Sequence, residues 1–152
     1  MSEESKNQLE VRSTAFAQGG TIPPKYTCEG ENVNPPLEIR GYSSHTKSLA
    51  LIFEDPDAPR GVYDHWIVWN IPPGEKIKEN SRPGVAGKNS FGNTNYGGPC
   101  PPSGSHRYFF KVYALDNELN IEAGSDKNTL QDAMKAHILS SGELMAHYQK
   151  RK

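Results

Sequence analysis

Proline and glycine punctuate this chain so evenly that they limit how long any helix in it can be. Its 152 residues contain 12 prolines and 14 glycines, and these separate short apolar segments along the whole length. Proline interrupts helices, and both residues are typical of turns. The pattern therefore favours a β-rich domain with long loops over a helix bundle.

Length and charge narrow the class of protein further. A chain of 152 residues falls within the range of one domain and can bury roughly two-thirds of the surface that its unfolded form exposes. We predict a single domain over residues 1–152, with residues 1–8 as a flexible tail. Lys and Arg number 17 against 18 Asp and Glu, so no excess of positive charge is present to bind nucleic acid.

The sequence also lacks the signals of a membrane or secreted protein. Its longest apolar run is far shorter than the ~20 residues that span a bilayer, and residues 1–7 contain no hydrophobic signal region. We predict a cytoplasmic protein without integral membrane association. Its two cysteines, Cys28 and Cys100, lack the spacing of a zinc site. Free thiols are expected, with one long-range disulfide as the alternative, and Cys100 is expected to be a small semi-buried residue rather than a reactive thiol.

Four segments have the patterns of strands. Residues 9–12 alternate apolar with polar, residues 49–53 are a continuous apolar run, and residues 66–69 and 107–115 are rich in β-branched and aromatic side chains. Because side chains alternate along a strand, Trp66 and Trp69 should lie on opposite faces. One of them is expected in the core, and the other beside the pocket described below.

Near the C-terminus the periodicity changes and predicts an amphipathic helix. Asn128 is expected to cap its start and Gly142 to end it. Residues 143–148 fit either a further helical turn or an edge strand. The apolar face of the helix would comprise Leu130, Ala133, Met134, His137 and Ile138.

Titratable residues stand where three of the predicted strands begin or end. Asp55 follows the first apolar run, His65 precedes the Trp66 strand, and His106 precedes the last aromatic strand. Residues two apart in a strand share a face, so His106 and Tyr108 should point the same way. They would continue an apolar row formed by Phe110, Val112 and Ala114.

These motifs together resemble the phosphatidylethanolamine-binding protein family, which includes the Raf kinase inhibitor protein. The resemblance extends from about residue 15 to residue 148. It is carried by Asp55-Pro56-Asp57-Ala58-Pro59, by Asp64-His65-Trp66, and by the segment from Gly98-Pro99 to His106-Arg107-Tyr108. Thr27-Cys28-Glu29-Gly30 and Asn34-Pro35-Pro36-Leu37 resemble its bacterial and archaeal branch.

The resemblance implies a mostly β fold, with two antiparallel sheets in a Greek-key-like sandwich and one or two peripheral helices. It implies a small pocket that accepts phosphate, acetate or a phosphorylated head group. The long insertion and C-terminal helix of the larger eukaryotic members are abbreviated here, so kinase inhibition does not transfer. The ligand-binding residues that it implies are Asp55, His65, Gly98, Pro99, His106 and Tyr108.

Elementary chemistry supports an anion pocket at these residues. Two imidazoles can donate N–H bonds to an anion while Asp55 orients one of them from behind. Gly98 would let the backbone approach the ligand and add an N–H donor. Asp57 is expected mainly to brace the loop. Anion binding should strengthen below neutral pH, because histidine gains its charge there.

Other functions remain open. Asp55, His65 and His106 could form a metal site with an open position. Ser103 or Ser105 could act as a nucleophile, although the Gly-x-Ser-x-Gly motif of such serines is absent. We expect no enzyme activity and no cofactor. The family resemblance also implies serine protease inhibition through residues 43–45 or 76–95, and a homodimer.

Overall fold

The computed structural model describes residues 8–74 and 76–151. The predicted flexible tail therefore lies outside the described residues, apart from its last member, Gln8. Eight strands, a 3₁₀ turn at Pro24–Tyr26 and one α-helix follow along this part of the chain. The strands are β1 (Glu10–Arg12), β2 (Leu37–Arg40), β3 (Ser48–Asp55), β4 (Tyr63–Ile71), β5 (Lys76–Ile77), β6 (Val85–Ala86), β7 (Ser105–Leu115) and β8 (Ile138–Gln149); the helix is α1 (Lys127–Met134).

The strands form two antiparallel sheets. Three strands pair in the order β1-β2-β5, and five pair in the order β6-β4-β3-β7-β8. β7 returns from a long connection to lie beside β3, as in a Greek key. The predicted fold class, a mostly β sandwich with one or two peripheral helices, is confirmed.

Strand β3 lies in the centre of the larger sheet and is buried along its full length. Its neighbours are β4 and β7, so that Phe53 stands opposite Trp66 on one side and Phe110 on the other. A strand covered on both faces reads as a continuous apolar run, which is the pattern of residues 49–53.

Two hydrophobic clusters cover the two faces of the larger sheet. The first fills the space between the sheets and includes Phe53, Trp66 and Phe110. The second lies under α1 and includes Trp69 and Leu130. The prediction that Trp66 and Trp69 occupy opposite faces is confirmed, but both are core residues and neither lines the pocket of Asp55.

The helix is shorter than the sequence predicted. It is capped by Asp126, whose carboxylate accepts a hydrogen bond from the Thr129 N–H, and it ends at Met134. The predicted caps are therefore wrong, because Asn128 lies inside the helix and Gly142 lies within strand β8. The predicted apolar face is wrong at its end, because His137 and Ile138 lie beyond the helix. The helix ends early because residues 138–149 pair with β7 and take up strand conformation. This tertiary contact overrides the local helical pattern.

The same pairing resolves the ambiguity of residues 143–148, which are strand. Ile138 is exposed, and His137 pairs with Asp116 at 2.8 Å instead of packing on an apolar face. Among the residues that the structure describes, no helix is long and apolar enough to cross a membrane.

The expectation of free thiols is wrong. Cys28 and Cys100 form a disulfide, with Cα atoms 5.5 Å apart. They are 72 residues apart in sequence, but the two loops run side by side, and the Cys28 N–H donates to the Pro99 carbonyl at 3.1 Å. Cys100 is exposed rather than a semi-buried filler.

Candidate functional site

Three neighbouring strands of the larger sheet bring the polar residues together at one end of the sandwich. Asp55 is the last residue of β3, His65 lies near the start of β4, and His106 and Tyr108 lie near the start of β7. Because β3 pairs antiparallel with both β4 and β7, its end lies beside the beginnings of the other two. The four side chains converge on one cavity of 170 Å³.

A β-bulge turns His65 toward this cavity. The register steps from Phe53 opposite Trp66 to Glu54 opposite Asp64, which leaves His65 as an extra residue on β4. Strict alternation would place His65 on the face opposite Trp66. The bulge instead directs both to the inter-sheet side, where the His65 ring lies 5.5 Å from the Phe53 ring.

Asp55 and His106 form a buried hydrogen-bonded pair. His106 Nδ1 lies 2.7 Å from Asp55 Oδ2, and the other oxygen, Oδ1, accepts from the Asp57 N–H at 2.7 Å. An ionised carboxylate only accepts, so the His106 Nδ1 carries a proton. The orienting role predicted for Asp55 therefore has a direct geometric basis.

Asp57 does not reach the cavity and braces the loop, as predicted. Its Oδ2 accepts from the Arg107 N–H and from Nε, and its Oδ1 accepts from Nη2 at 2.9 Å. These bonds lower the pKa of Asp57 to about 2. The brace thus fixes the end of β3 to the start of β7.

His65 is oriented by the backbone. Its Nδ1 lies 2.8 Å from the Gly97 carbonyl, which can only accept, so this nitrogen is the protonated one in the neutral ring. Burial lowers the pKa of His65, although the Gly97 carbonyl and the charge of Asp55 oppose the shift. No hydrogen bond reaches Nε2 of His65 or of His106 from the described residues.

Tyr108 lies between the two imidazoles, with its ring 5.5 Å from that of His65 and 6.3 Å from that of His106. The residue is fully buried, and its hydroxyl has no hydrogen-bond partner among the described residues. Burial raises the pKa of Tyr108 well above its ordinary value, and the nearby carboxylate of Asp55 adds to the shift although it does not meet the hydroxyl in hydrogen-bonding geometry. The hydroxyl therefore stays neutral, buried in the wall between the two imidazoles.

Gly98 and Pro99, two of the predicted ligand-binding residues, do not line the cavity. The Gly98 N–H donates to Asn32 Oδ1 at 2.8 Å, so it is not free for a ligand. A Cβ atom at Gly98 would lie 2.2 Å from the carbonyl oxygen of Tyr26. The glycine is needed for close packing of two loops, and the Pro99 carbonyl is bonded to the Cys28 N–H.

Sequence reasoning missed several apolar walls of the cavity. Tyr63 and Phe91 pack their rings 5.2 and 5.4 Å from that of His65. Tyr63 is two residues before His65, a spacing that could have revealed it, whereas nothing in the pattern around Phe91 indicates the site. The full lining comprises Asp55, Ala58, Pro59, Tyr63, His65, Phe91, Cys100, Pro101, Pro102, His106 and Tyr108.

The alternative chemistries find little support in the geometry. Over residues 8–74 and 76–151, no group of three His, Cys, Asp or Glu side chains is arranged to hold a metal ion. Neither Ser103 nor Ser105 lines the cavity, and both are exposed.

Comparison with known proteins agrees with this architecture. The family model described as phosphatidylethanolamine-binding protein matches residues 12–149. A UPF0098 protein of Pyrococcus horikoshii is 46% identical over 97% of this chain and 80% of its own length. Another, from Methanothermobacter thermautotrophicus, is 44% identical over 93% of this chain and 99% of its own.

Two solved structures are similar along nearly the whole chain. The phosphatidylethanolamine-binding protein homologue CT736 of Chlamydia trachomatis superposes with a TM-score of 0.92 at 41% identity, covering 95% of this chain and 99% of that one. YbcL of E. coli, described as a member of the mammalian family, superposes with a TM-score of 0.86 at 29% identity and the same coverage. The sandwich, the motifs and these matches lead to one conclusion: the chain belongs to the phosphatidylethanolamine-binding protein family.

Proposed function

We propose that the cavity of Asp55, His65, His106 and Tyr108 binds a small anion, such as phosphate or a phosphorylated head group. The observation that carries the proposal is the pair of imidazoles in the cavity wall: His65 and His106 each bond a protein acceptor through Nδ1, and no hydrogen bond from the described residues reaches either Nε2. A protonated Nε2 is a charge-assisted donor, and such hydrogen bonds are roughly twice as strong as neutral ones. A bound oxyanion would accept them.

The two imidazoles make the proposed binding depend on protons. Each neutral ring has its proton on Nδ1, bonded to Asp55 or to the Gly97 carbonyl, so each Nε2 presents a lone pair. A lone pair repels an oxyanion, whereas a protonated Nε2 donates to it. An anion would therefore bind together with one or two protons.

The size of the cavity favours a small ligand. A volume of 170 Å³ is below the roughly 300 Å³ at which sites for drug-sized molecules begin. Phe91, which is 43% exposed, and the pair Pro101 and Pro102 border the cavity with apolar surface. A phosphate group would fit inside, and the apolar border would contact whatever is attached to it.

Isothermal titration calorimetry over about pH 5.5 to 8 tests the proton dependence. Sulfate is the sharper probe because it does not titrate in this range, while phosphate and acetate compare anion shape. We expect sulfate affinity to rise as the pH falls, with proton uptake visible as a dependence of the heat on buffer ionisation. Flat affinity, or affinity that rises with pH, would reject the proposal.

Variants locate the binding. His106→Ala and His65→Ala should each abolish measurable sulfate binding and leave the circular dichroism spectrum unchanged. His45→Ala is the matched control, since His45 is exposed on a distant loop. Retained binding in both cavity variants would place the anion elsewhere.

Four further expectations remain predictions: serine protease inhibition, homodimer formation, absence of catalysis and a cytoplasmic location. Titration against chymotrypsin-like, trypsin-like and elastase-like proteases tests the first, and light scattering tests the second.

The cellular location is best examined by the redox state of Cys28 and Cys100, because disulfides are uncommon in reducing compartments. Trapping the cysteines in intact cells would reveal which redox state the protein has there.

A further inference from the structure

The Cys28–Cys100 disulfide joins the surface of the molecule to the wall of the cavity. Both cysteines are exposed residues, which places the disulfide at the surface. Cys100 and the two residues after it, Pro101 and Pro102, line the cavity. Exposed disulfides are the class that undergoes exchange most readily.

The chain on either side of Cys100 is anchored in different ways. Before it, Tyr96 donates to the Tyr26 carbonyl at 2.8 Å and Gly98 donates to Asn32 at 2.8 Å. These bonds do not involve sulfur and would hold residues 96–98, including the Gly97 carbonyl that orients His65, in either redox state.

After Cys100 the anchoring is sparse. Residues 101–104 make no backbone hydrogen bond to any other described segment, and two of them are prolines without an N–H. The next fixed point is Ser105, the first residue of β7, which pairs with Gln149 of β8. Pro101 and Pro102, the proline wall of the cavity, are therefore held at one end by the disulfide together with the hydrogen bond from the Cys28 N–H to the Pro99 carbonyl, and at the other end by β7.

We propose that the Cys28–Cys100 disulfide is an exchange site for a dithiol reductant, and that its reduction releases the proline wall and weakens anion binding. The second part rests on the proposed function. A thiolate of the dithiol attacks one sulfur and forms a mixed disulfide, and the other cysteine leaves as a thiolate. The second thiol of the reductant then closes its own disulfide, so two electrons and two protons pass to the protein.

The consequence for the ligand follows from preorganisation. A released wall samples conformations that no longer enclose the cavity, and apparent affinity falls in proportion to the population that does. His65, His106 and Asp55 keep their hydrogen bonds, so binding is weakened rather than abolished. We expect the dissociation constant for sulfate at pH 6 to rise by a factor of about 3 to 10 on reduction.

The first experiment needs no ligand. The folded protein is treated with dithiothreitol and alkylated, and mass spectrometry counts the modified cysteines. We expect two per chain before any loss of the circular dichroism signal, together with faster subtilisin cleavage within residues 100–105. Cysteines that react only after unfolding, or cleavage that is unchanged by reduction, would overturn the proposal.

The second experiment measures sulfate binding by calorimetry before and after reduction. The control is the double variant Cys28→Ser and Cys100→Ser, whose affinity should match that of the reduced protein and ignore dithiothreitol. Equal affinity in the oxidised and reduced native protein would overturn the link to the cavity. An oxidised protein that binds no sulfate would reject the proposed function instead. The count of alkylated cysteines and the cleavage rate would still show whether the disulfide exchanges and whether its reduction releases the wall.

A second variant covers the case in which the reduced chain unfolds. Pro101→Gly together with Pro102→Gly loosens the same wall while the disulfide stays intact. It should reproduce the loss of sulfate affinity, and reduction should then add little, because both changes act on one element. Unchanged affinity in this variant would overturn the proposal.

Discussion

Glu54 and Asp55 are consecutive acidic residues at the end of one strand, and they face opposite sides of the sheet. Glu54 is met by two permanent cations, with Lys111 at 2.8 Å and Lys127 at 3.2 Å. Asp55 is met by the imidazole of His106 and by the Asp57 N–H. Both carboxylates are buried, but the partners of Glu54 are two ammonium groups, whereas the side-chain partner of Asp55 is an imidazole.

The difference separates a structural site from a responsive one. The lysine pairs are complete without any ligand, and they favour the ionised form so strongly that the pKa of Glu54 falls although burial opposes this. The side of Asp55 is incomplete, with a cavity, an unpaired hydroxyl and two imidazoles of variable charge. Four substitutions can break or sharpen this comparison.

Glu54→Gln should have the largest effect, and on stability alone. Removing the carboxylate leaves the Lys111 ammonium without its partner and Lys127 with Asp64 alone, which should lower the free energy of unfolding by about 2 kcal/mol. Urea denaturation at pH 7 measures the change, with exposed Glu118→Gln as the control. Sulfate affinity should stay the same, and a parallel loss of affinity would contradict the separation of the two faces.

Asp55→Asn should act mainly on binding. The amide still accepts a hydrogen bond from His106 but the bond is no longer charge-assisted, so the ring is held less firmly and sulfate affinity at pH 6 should fall about tenfold. Calorimetry checks this, with Asp64→Asn on the opposite face as the control. Tighter binding would mean that the charge of Asp55 repels the anion more than it assists His106.

Tyr108→Phe tests the unpaired hydroxyl. Sulfate affinity should fall about fivefold, equivalent to one hydrogen bond of about 1 kcal/mol, while thermal stability should change little because the hydroxyl meets no described residue in hydrogen-bonding geometry. Tyr148→Phe is the matched control, since the Tyr148 hydroxyl donates to Glu29. It should lower stability and leave binding intact. A Tyr108→Phe protein that is clearly less stable would show that the hydroxyl has a structural partner.

Arg107→Ala should have the smallest effect, through the brace behind the cavity. The pKa of Asp57 is held near 2, below its unfolded value of about 3.9, so the pair stabilises the fold above about pH 4 and loses this contribution as the pH falls toward 2. Both side chains are partly exposed, so the loss of stability at pH 6 should be the smallest of the four. Denaturation at pH 6 and at pH 2 measures it, with exposed Arg40→Ala as the control. A difference that persists at pH 2 would mean that Arg107 stabilises by packing.

Much of this arrangement could be predicted because it depends on strand periodicity. The alternation of His106, Tyr108 and Phe110 predicted one buried row, and all three lie in it. The family motifs placed Asp55 and His65 beside this row. Local pattern and tertiary structure agree here because β3 and β7 are long and fully paired.

What could not be predicted depends on contacts between distant segments. The bulge at His65 changes which face a side chain takes, and no residue type marks it. Gly98 was read as a ligand donor because a glycine next to a site suggests close approach, but it approaches Tyr26 instead. The disulfide required knowledge that two loops 72 residues apart run side by side.

The hydrogen bonds that Nδ1 of each imidazole makes to the protein have a consequence beyond affinity. Since Nδ1 of each ring is committed to Asp55 or to the Gly97 carbonyl, the proposed ligand and the protons it needs arrive through the same nitrogen atoms on the cavity side. Occupancy then follows the product of anion concentration and acidity rather than either quantity alone. Such a protein would act as a coincidence detector, filled when an anion accumulates while the surrounding pH is falling.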